Sequence, residues 1–200
     1  MSETTFDYII VGAGTAGCLL ANRLSANASK RVLLIEAGRK DDYHWIHIPV
    51  GYLYCIGNPR TDWLYQTEPD VGLNGRALRY PRGKTLGGCS SINGMIYMRG
   101  QARDYDGWAR QLGDEAWRWD ACRPYFMRHE DHWRAGEAGF APHHGAGGEW
   151  RVERQRLSWE ILDAFAAAAR EAGIPASEDF NRGDNEGVGY FEVNQRAGWR

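Results

Sequence analysis

Residues 12–17 read Gly-Ala-Gly-Thr-Ala-Gly, and apart from the Thr15 hydroxyl their only chemistry is that of exposed backbone. Gly12, Gly14 and Gly17 match the spacing G-x-G-x-x-G, which suits noncovalent capture of a pyrophosphate. In that arrangement Gly12 allows a tight turn, Gly14 lets phosphate approach the main chain, and Gly17 lets a helix pack close to a strand. The helix that follows offers free N–H groups and a partial positive charge to the phosphates. Glu36 stands 19 residues beyond Gly17. A carboxylate there accepts hydrogen bonds from ribose hydroxyls and repels a 2′-phosphate, which disfavours NADP. The plainer alternative is a tight turn without a ligand and a solvated strand end. Three features in register weigh against it.

These groups need a strand, a helix and a second strand to position them. Tyr8-Ile9-Ile10-Val11 is short, apolar and β-branched, which predicts a buried parallel strand. Ala16, Leu19, Leu20 and Leu24 follow at helical spacing, residues 25–29 end that helix, and Val32-Leu33-Leu34-Ile35 is a second apolar strand, completing a βαβ unit. Residues 39–80 lack sustained periodicity, with a short strand expected near Trp63–Thr67; so long an irregular stretch is usually functional. Further on, helices are expected over 104–112, over 121–129 capped by Asp120 with Pro124 tolerated near the start, and over 158–172. In the last of these, Ile161, Leu162, Phe165, Ala168, Ala169 and Ala172 share one face, and Gly173 with Pro175 stops it. Strands are expected over 149–152 and 188–193, and residues 134–149 read as a glycine-rich loop.

Composition narrows the function classes. With 43% hydrophobic and 25% charged residues and a net charge of −2, the chain reads as globular, with nothing to draw nucleic acid or an anionic membrane. No apolar run reaches the roughly 20 residues of a membrane span. Residues 1–5 lack the pattern of a signal peptide, so a cytoplasmic location is the expectation. Cys18, Cys55, Cys89 and Cys122 are scattered and form no Cys-x-x-Cys pair, so free thiols are expected.

The first fingerprint does not distinguish FAD from NAD. A second segment, Arg82-Gly83-Lys84-Thr85-Leu86-Gly87-Gly88-Cys89-Ser90-Ser91-Ile92-Asn93-Gly94, does. It can press backbone and inward N–H groups against a flat ring or a phosphate. A nicotinamide fold would continue with further βα units where this chain runs irregularly. Residues 5–38 with 60–100 resemble the N-terminal part of the glucose–methanol–choline (GMC) family of FAD-dependent oxidoreductases. The resemblance is carried by the string from Asp7 to Gly17, by Glu36-Ala37-Gly38, and above all by Gly83–Gly94, which is similar to the family's first signature. Weaker similarity continues to the end, and the choline-dehydrogenase-like and alcohol dehydrogenase branch looks most similar.

The resemblance implies an α/β fold: a Rossmann-like FAD-binding βαβ domain over 1–100, then over 101–200 the beginning of a second, substrate-binding α+β domain, incomplete here. It implies that Thr15 and Ala16 lie against the pyrophosphate and Glu36 on the adenosine ribose, with Gly12, Gly14, Gly17 and Ala37 among the cofactor-binding residues. Gly83, Gly88, Cys89, Asn93, Gly94, Met95 and Ile96 would line the flavin side. Some relatives bond flavin covalently through a histidine just before the Asn93 position; Ile92 stands there, so noncovalent FAD is expected. The implied partners are a small alcohol, choline-like or aliphatic, and an electron acceptor, with no nucleic acid; peripheral membrane association of a full protein is not visible in the chain.

The family's proton-abstracting histidine lies far toward the C-terminus, and no segment here matches that region. The chain is therefore expected to be a fragment, inactive by itself, and no catalytic residue is assigned within it. The alternative is a non-catalytic nucleotide-binding module or a structural half awaiting a partner. The six histidines, His44, His47, His129, His132, His143 and His144, fall short of a four-ligand zinc site and read as surface or packing residues. No metal is expected. Trp108, Trp117, Trp119, Trp133, Trp150 and Trp159 read as core rings, with Trp63 assigned by the resemblance to the cofactor entrance.

Overall fold

The computed structural model describes residues 5–200. Two compact units divide the chain: one takes it up to Gly94 together with Trp199 and Arg200, the other spans Met95–Gly198.

In the first unit, strands β1 (Tyr8–Val11) and β2 (Val32–Ile35) pair in parallel with Tyr8 opposite Val32 and Val11 opposite Ile35. Helix α1 (Thr15–Ser25) makes the crossover between them. The expected βαβ unit is therefore present, but its burial is not as expected. Ile9 is 61% exposed and Val11 82%. The reason is topological: among the described residues this sheet has only these two strands, so its outer edge and much of its apolar surface stay uncovered.

The stretch after β2 is held by short turns rather than long elements. Helices α2 (His44–His47) and α3 (Tyr52–Cys55) flank a 3₁₀ turn at Pro49–Gly51. Ile46, Cys55 and Ile92 form a small core, with Tyr43 and Trp45 packed on it. The strand expected near Trp63–Thr67 is instead a set of isolated antiparallel contacts, Gln66 opposite Arg79 and Tyr80 N–H donating to the Tyr65 carbonyl at 2.8 Å. Leu64 sits at φ +60, which breaks the extended run.

The second unit carries helices α4 (Ala102–Leu112), α5 (Trp119–His129) and α6 (Glu160–Glu171) with strands β3 (Glu130–His132), β4 (Trp150–Arg154) and β5 (Glu192–Val193). The strands are ordered β3-β4-β5, the first pair parallel and the second antiparallel. Asp120 does not cap α5: it lies in the first turn, Arg118 is the capping position, and Pro124 falls inside the helix. The strand expected over 188–193 shrinks to Glu192–Val193 because Val188 already pairs with Ala176, through Ser177 N–H to the Val188 carbonyl at 2.9 Å.

Packing corrects two further expectations. Of the apolar face of α6 only Ala169 is buried, while Ile161 is 70% and Phe165 67% exposed. Leu162 and Phe165 instead line an open cavity with Met98, Phe180 and Phe191. Among the tryptophans Trp119 is a core ring, against Tyr105 and Phe126, but Trp108, Trp117, Trp133 and Trp159 are exposed. No helix among the described residues is long and apolar enough to cross a membrane.

Candidate functional site

The first glycine segment forms the turn between β1 and α1. Gly12 N–H donates to the Ile35 carbonyl at 2.7 Å, which ties the turn to the end of β2. A Cβ on Gly17 would lie 1.9 Å from the Gly12 carbonyl oxygen, so only glycine lets α1 pass this close to the turn. Gly14 is the N-cap, no side chain caps the helix, and no acidic residue occupies its first turn. Thr15 and Ala16 are exposed at that end. The helix thus begins with backbone donors that no side chain of the helix satisfies.

Glu36 points back at this turn. Its Oε2 accepts the Ala13 N–H at 2.7 Å and its Oε1 the Gly38 N–H at 2.8 Å. Each oxygen retains a second acceptor direction, so the carboxylate can receive ribose hydroxyls while already holding the loop in shape. Ala37, between the two, is exposed.

The second glycine segment lies directly on the first. Gly87 N–H donates to the Ala13 carbonyl at 2.8 Å, and Leu86 N–H to the Arg39 carbonyl at 3.0 Å. Thr85 Oγ1 also donates to the Arg39 carbonyl, at 3.1 Å. A Cβ on Gly38 would come within 2.1 Å of Lys84, and one on Gly83 within 2.1 Å of the Gly88 carbonyl oxygen. Gly88 is doubly constrained: its φ is +56, and a Cβ there would sit 2.9 Å from the Gly14 Cα. Segments 12–14, 36–39 and 83–88 are therefore interlocked main chain to main chain, and side chains would force them apart.

Whether this cradle fits a flavin nucleotide turns on glycines the fold itself does not require. A Cβ on Gly14 would meet nothing nearer than the Gly88 Cα at 4.0 Å, and one on Gly94 would meet nothing within 4 Å. Neither has a φ that demands glycine. The missing side chains leave open space beside uncapped N–H groups at one position and beside the Cys89–Asn93 turn at the other. That is the space a diphosphate and a flat ring require, so the residues present fit the group.

The remaining expected residues are distributed as follows. Cys89 is exposed, its Sγ accepting the Gly83 N–H at 3.4 Å. Asn93 and Gly94 are exposed at the end of the same segment, while Ile92 is buried in the core with Ile46 and Cys55. Met95 and Ile96 open the second unit: Met95 is buried with φ +63, and Ile96 pairs with Val193. Trp63 lies under the Lys84 ammonium, 4.5 Å from the ring centre, and stacks on Tyr65.

Two residues of the first unit escape the sequence reading. Asp62, almost fully buried, accepts N–H groups from Gly57 at 2.7 Å, Leu64 at 3.0 Å and Arg82 at 3.1 Å. Burial opposes its charge, but these amides hold its pKa below the usual carboxylate range. It fixes the approach to Gly83. Two of these amides, Gly57 and Leu64, are near it in sequence, and the third, Arg82, lies 20 positions away. Arg200 is the other, clasping Ser90 and Asn93.

The second unit holds a buried charged cluster. Arg99 Nη2 donates to both Glu130 oxygens at 2.7 Å, and His144 is set between Glu130 and Asp179, with Nδ1 at 3.1 Å and Nε2 at 2.9 Å. Burial alone would raise Glu130, but the hydrogen bond from His144 and the Arg99 charge lower it to about 2. Burial likewise opposes the His144 charge, yet its bonds to Asp179 and Glu130 raise its pKa. His132, His144 and Glu192 bring ligand-type atoms within 4.8 Å of one another. The Arg134 amide donates to His132 Nδ1 at 3.1 Å, leaving Nε2 to donate to Glu192 Oε1 at 2.8 Å. Both nitrogens of each histidine are thus engaged by the protein, and the arrangement is that of a hydrogen-bonded core.

A family model described as GMC oxidoreductase matches residues 6–200. The chain is 45% identical over 195 residues to an "Alcohol dehydrogenase [acceptor]" of Pseudomonas putida, covering 98% of this chain and 35% of that protein. To the mitochondrial choline dehydrogenase of Homo sapiens it is 40% identical over 206 residues, covering 100% of this chain and 34% of the other. The solved structure of pyridoxine 4-oxidase from Mesorbium loti superposes with a TM-score of 0.90 at 38% identity, over 98% of this chain and 38% of that one. The chain spans about a third of the length of the curated relatives it matches.

Proposed function

The chain belongs to the GMC oxidoreductase family, and on that footing we propose that it supplies the FAD-holding part of an enzyme that oxidises a primary alcohol, choline-like or aliphatic. One observation carries the reading: the turn at Gly12–Gly17 and the segment at Gly83–Gly94 interlock, yet leave Gly14 and Gly94 facing open space. The names of its relatives, an alcohol dehydrogenase and a choline dehydrogenase, support the substrate class.

FAD, when bound, supplies the acceptor for hydride at flavin N5. The chain's own residues bind and orient. The uncapped amides at Thr15 and Ala16 and the N-terminal end of α1 receive the diphosphate, and Glu36 takes the adenosine ribose while bracing the turn. Gly83, Gly88, Cys89, Asn93 and Gly94 form the wall against the isoalloxazine. Binding is noncovalent in this reading: Ile92 offers no nucleophilic atom, and its side chain is packed in the core. No histidine of this chain is assigned as the base that receives the alcohol proton. His132 and His144 are buried in the charged cluster, and His47 Nε2 is held by the Asp41 carbonyl at 2.6 Å.

The test is reconstitution of the purified chain with FAD followed by anaerobic addition of primary alcohols, choline included, with and without an artificial electron acceptor. Flavin bands that persist through gel filtration support the binding role. Bleaching by alcohol places the chemistry within the chain. Bound flavin that no alcohol reduces leaves it a binding part, the non-catalytic reading. A folded chain that retains no flavin contradicts both.

A further inference from the structure

Arg200 lies against the Ser90–Asn93 stretch, with its own amide donating to the His47 carbonyl at 3.1 Å. Nη1 donates to the Ser90 carbonyl at 2.7 Å and to Asn93 Oδ1 at 2.8 Å, and Nη2 to the Asn93 carbonyl at 2.6 Å. Residues 107 positions apart in sequence are thus joined by a three-point clasp. Among the described residues no carboxylate forms an ion pair with Arg200, its Nε is buried without a partner, and burial pushes its pKa down. The guanidinium therefore directs its charge onto neutral oxygens of one loop.

This has a geometric consequence. A guanidinium has donors only, so the Asn93 atom facing it is the amide oxygen, and the amide nitrogen is turned the other way. The carbonyls of residues 90 and 93 are drawn to the same group, while Ile92 between them is anchored in the core with Ile46 and Cys55. The loop is gripped at its carbonyls by Arg200 and at its one large apolar side chain by the core.

We propose that Arg200 is a positioning residue for the flavin-facing loop: it fixes the Asn93 amide and the Asn93–Gly94 main chain, and touches neither flavin nor substrate. The inference rests on the reading of this segment as the flavin wall. Fluorescence titration with FAD and visible circular dichroism of the bound flavin test it, on the wild-type chain, Arg200→Ala, Arg200→Lys, Asn93→Ala and the Arg200→Ala/Asn93→Ala pair. Arg200→Ala should weaken FAD binding by about tenfold or more, the scale of one lost charge-assisted hydrogen bond. The visible dichroism should change with it. Arg200→Lys, which keeps charge but not the fork, should recover part of the loss. In the Asn93→Ala background, Arg200→Ala should cost less than in wild type.

Unchanged affinity and dichroism in Arg200→Ala, or fully additive effects in the pair, overturn the inference while leaving the flavin site standing. If Arg200→Ala does not fold, Arg200→Lys decides: a wild-type affinity and spectrum overturn the inference, and an intermediate pair supports it. A wild-type chain that takes up no FAD overturns the reading of the site and this inference with it.

Discussion

Glu36 Oε2 accepts the Ala13 N–H at 2.7 Å across 23 residues of sequence, joining the end of the second strand to the glycine turn after the first. The same carboxylate holds the Gly38 N–H, so one side chain shapes two of the three backbone segments that interlock. It has a structural role before any ligand arrives.

Replacing it is therefore expected to cost stability as well as affinity. In Glu36→Gln one oxygen becomes an N–H donor facing an N–H donor, leaving a partly buried amide unpaired. The expected cost is about 1–3 kcal/mol, read as a lower midpoint in chemical denaturation. An unchanged midpoint would show that the two hydrogen bonds contribute nothing.

The glycines separate into two kinds with opposite behaviour. Gly14→Ala and Gly94→Ala should fold with losses below about 1 kcal/mol, since their Cβ atoms meet nothing closer than 4.0 Å, but should lose FAD affinity. Gly88→Ala should destabilise by about 1–3 kcal/mol, because it is at φ +56 and its Cβ would meet the Gly14 Cα at 2.9 Å. Thermal melts of the apo chains check the first half, and FAD titrations the second.

The charged cluster of the second unit predicts a large penalty for breaking one pair. Arg99→Met removes the closer of the two cations facing buried Glu130 and should cost about 3–5 kcal/mol, whereas Arg99→Met with Glu130→Leu should recover part of it, the His144 and Gly145 bonds to Glu130 being lost as well. Urea denaturation of the single and double variants measures both, and a double variant no better than the single would contradict the account.

The same cluster gives a pH dependence with a definite sign. His144 faces Glu130, Asp179 and Arg99, stacks on His132, and has a raised pKa. Its contribution is fully present below its ordinary value near 6.5 and is lost as pH rises through the higher folded value. Glu130, lowered to about 2, contributes fully above 4.5 and loses that contribution as pH falls toward 2. Asp179 is lowered as well and acts in the same direction. Melting temperature against pH should fall on both sides of a plateau, and Glu130→Gln should flatten the acid limb. A profile without an acid limb would contradict this.

The βαβ unit was legible because its signals are local: the apolar tetrads at 8–11 and 32–35, and the glycine spacing between them. The two glycine segments were legible for the same reason, since close approach of backbone leaves a mark in residue type. Burial was not. The exposure of Val11, Ile161 and Phe165 depends on which elements cover them, and periodicity reports only that a face is apolar. The strand expected near Trp63–Thr67 failed at Leu64, whose left-handed φ no residue type announces. Arg200 stayed invisible because its partner Asn93 lies 107 positions away, and the tie from Asp62 to Arg82 because it spans 20.

The most direct test of the central claim is equilibrium binding of FAD to the wild-type chain and to Gly14→Ala, with the folded state of each confirmed by its melt. The wild-type chain should take up FAD near one to one, while Gly14→Ala, equally folded, should bind at least about tenfold more weakly because its methyl group occupies the place of the diphosphate. Equal affinities in the two proteins, or a folded wild-type chain that binds none, would contradict the claim.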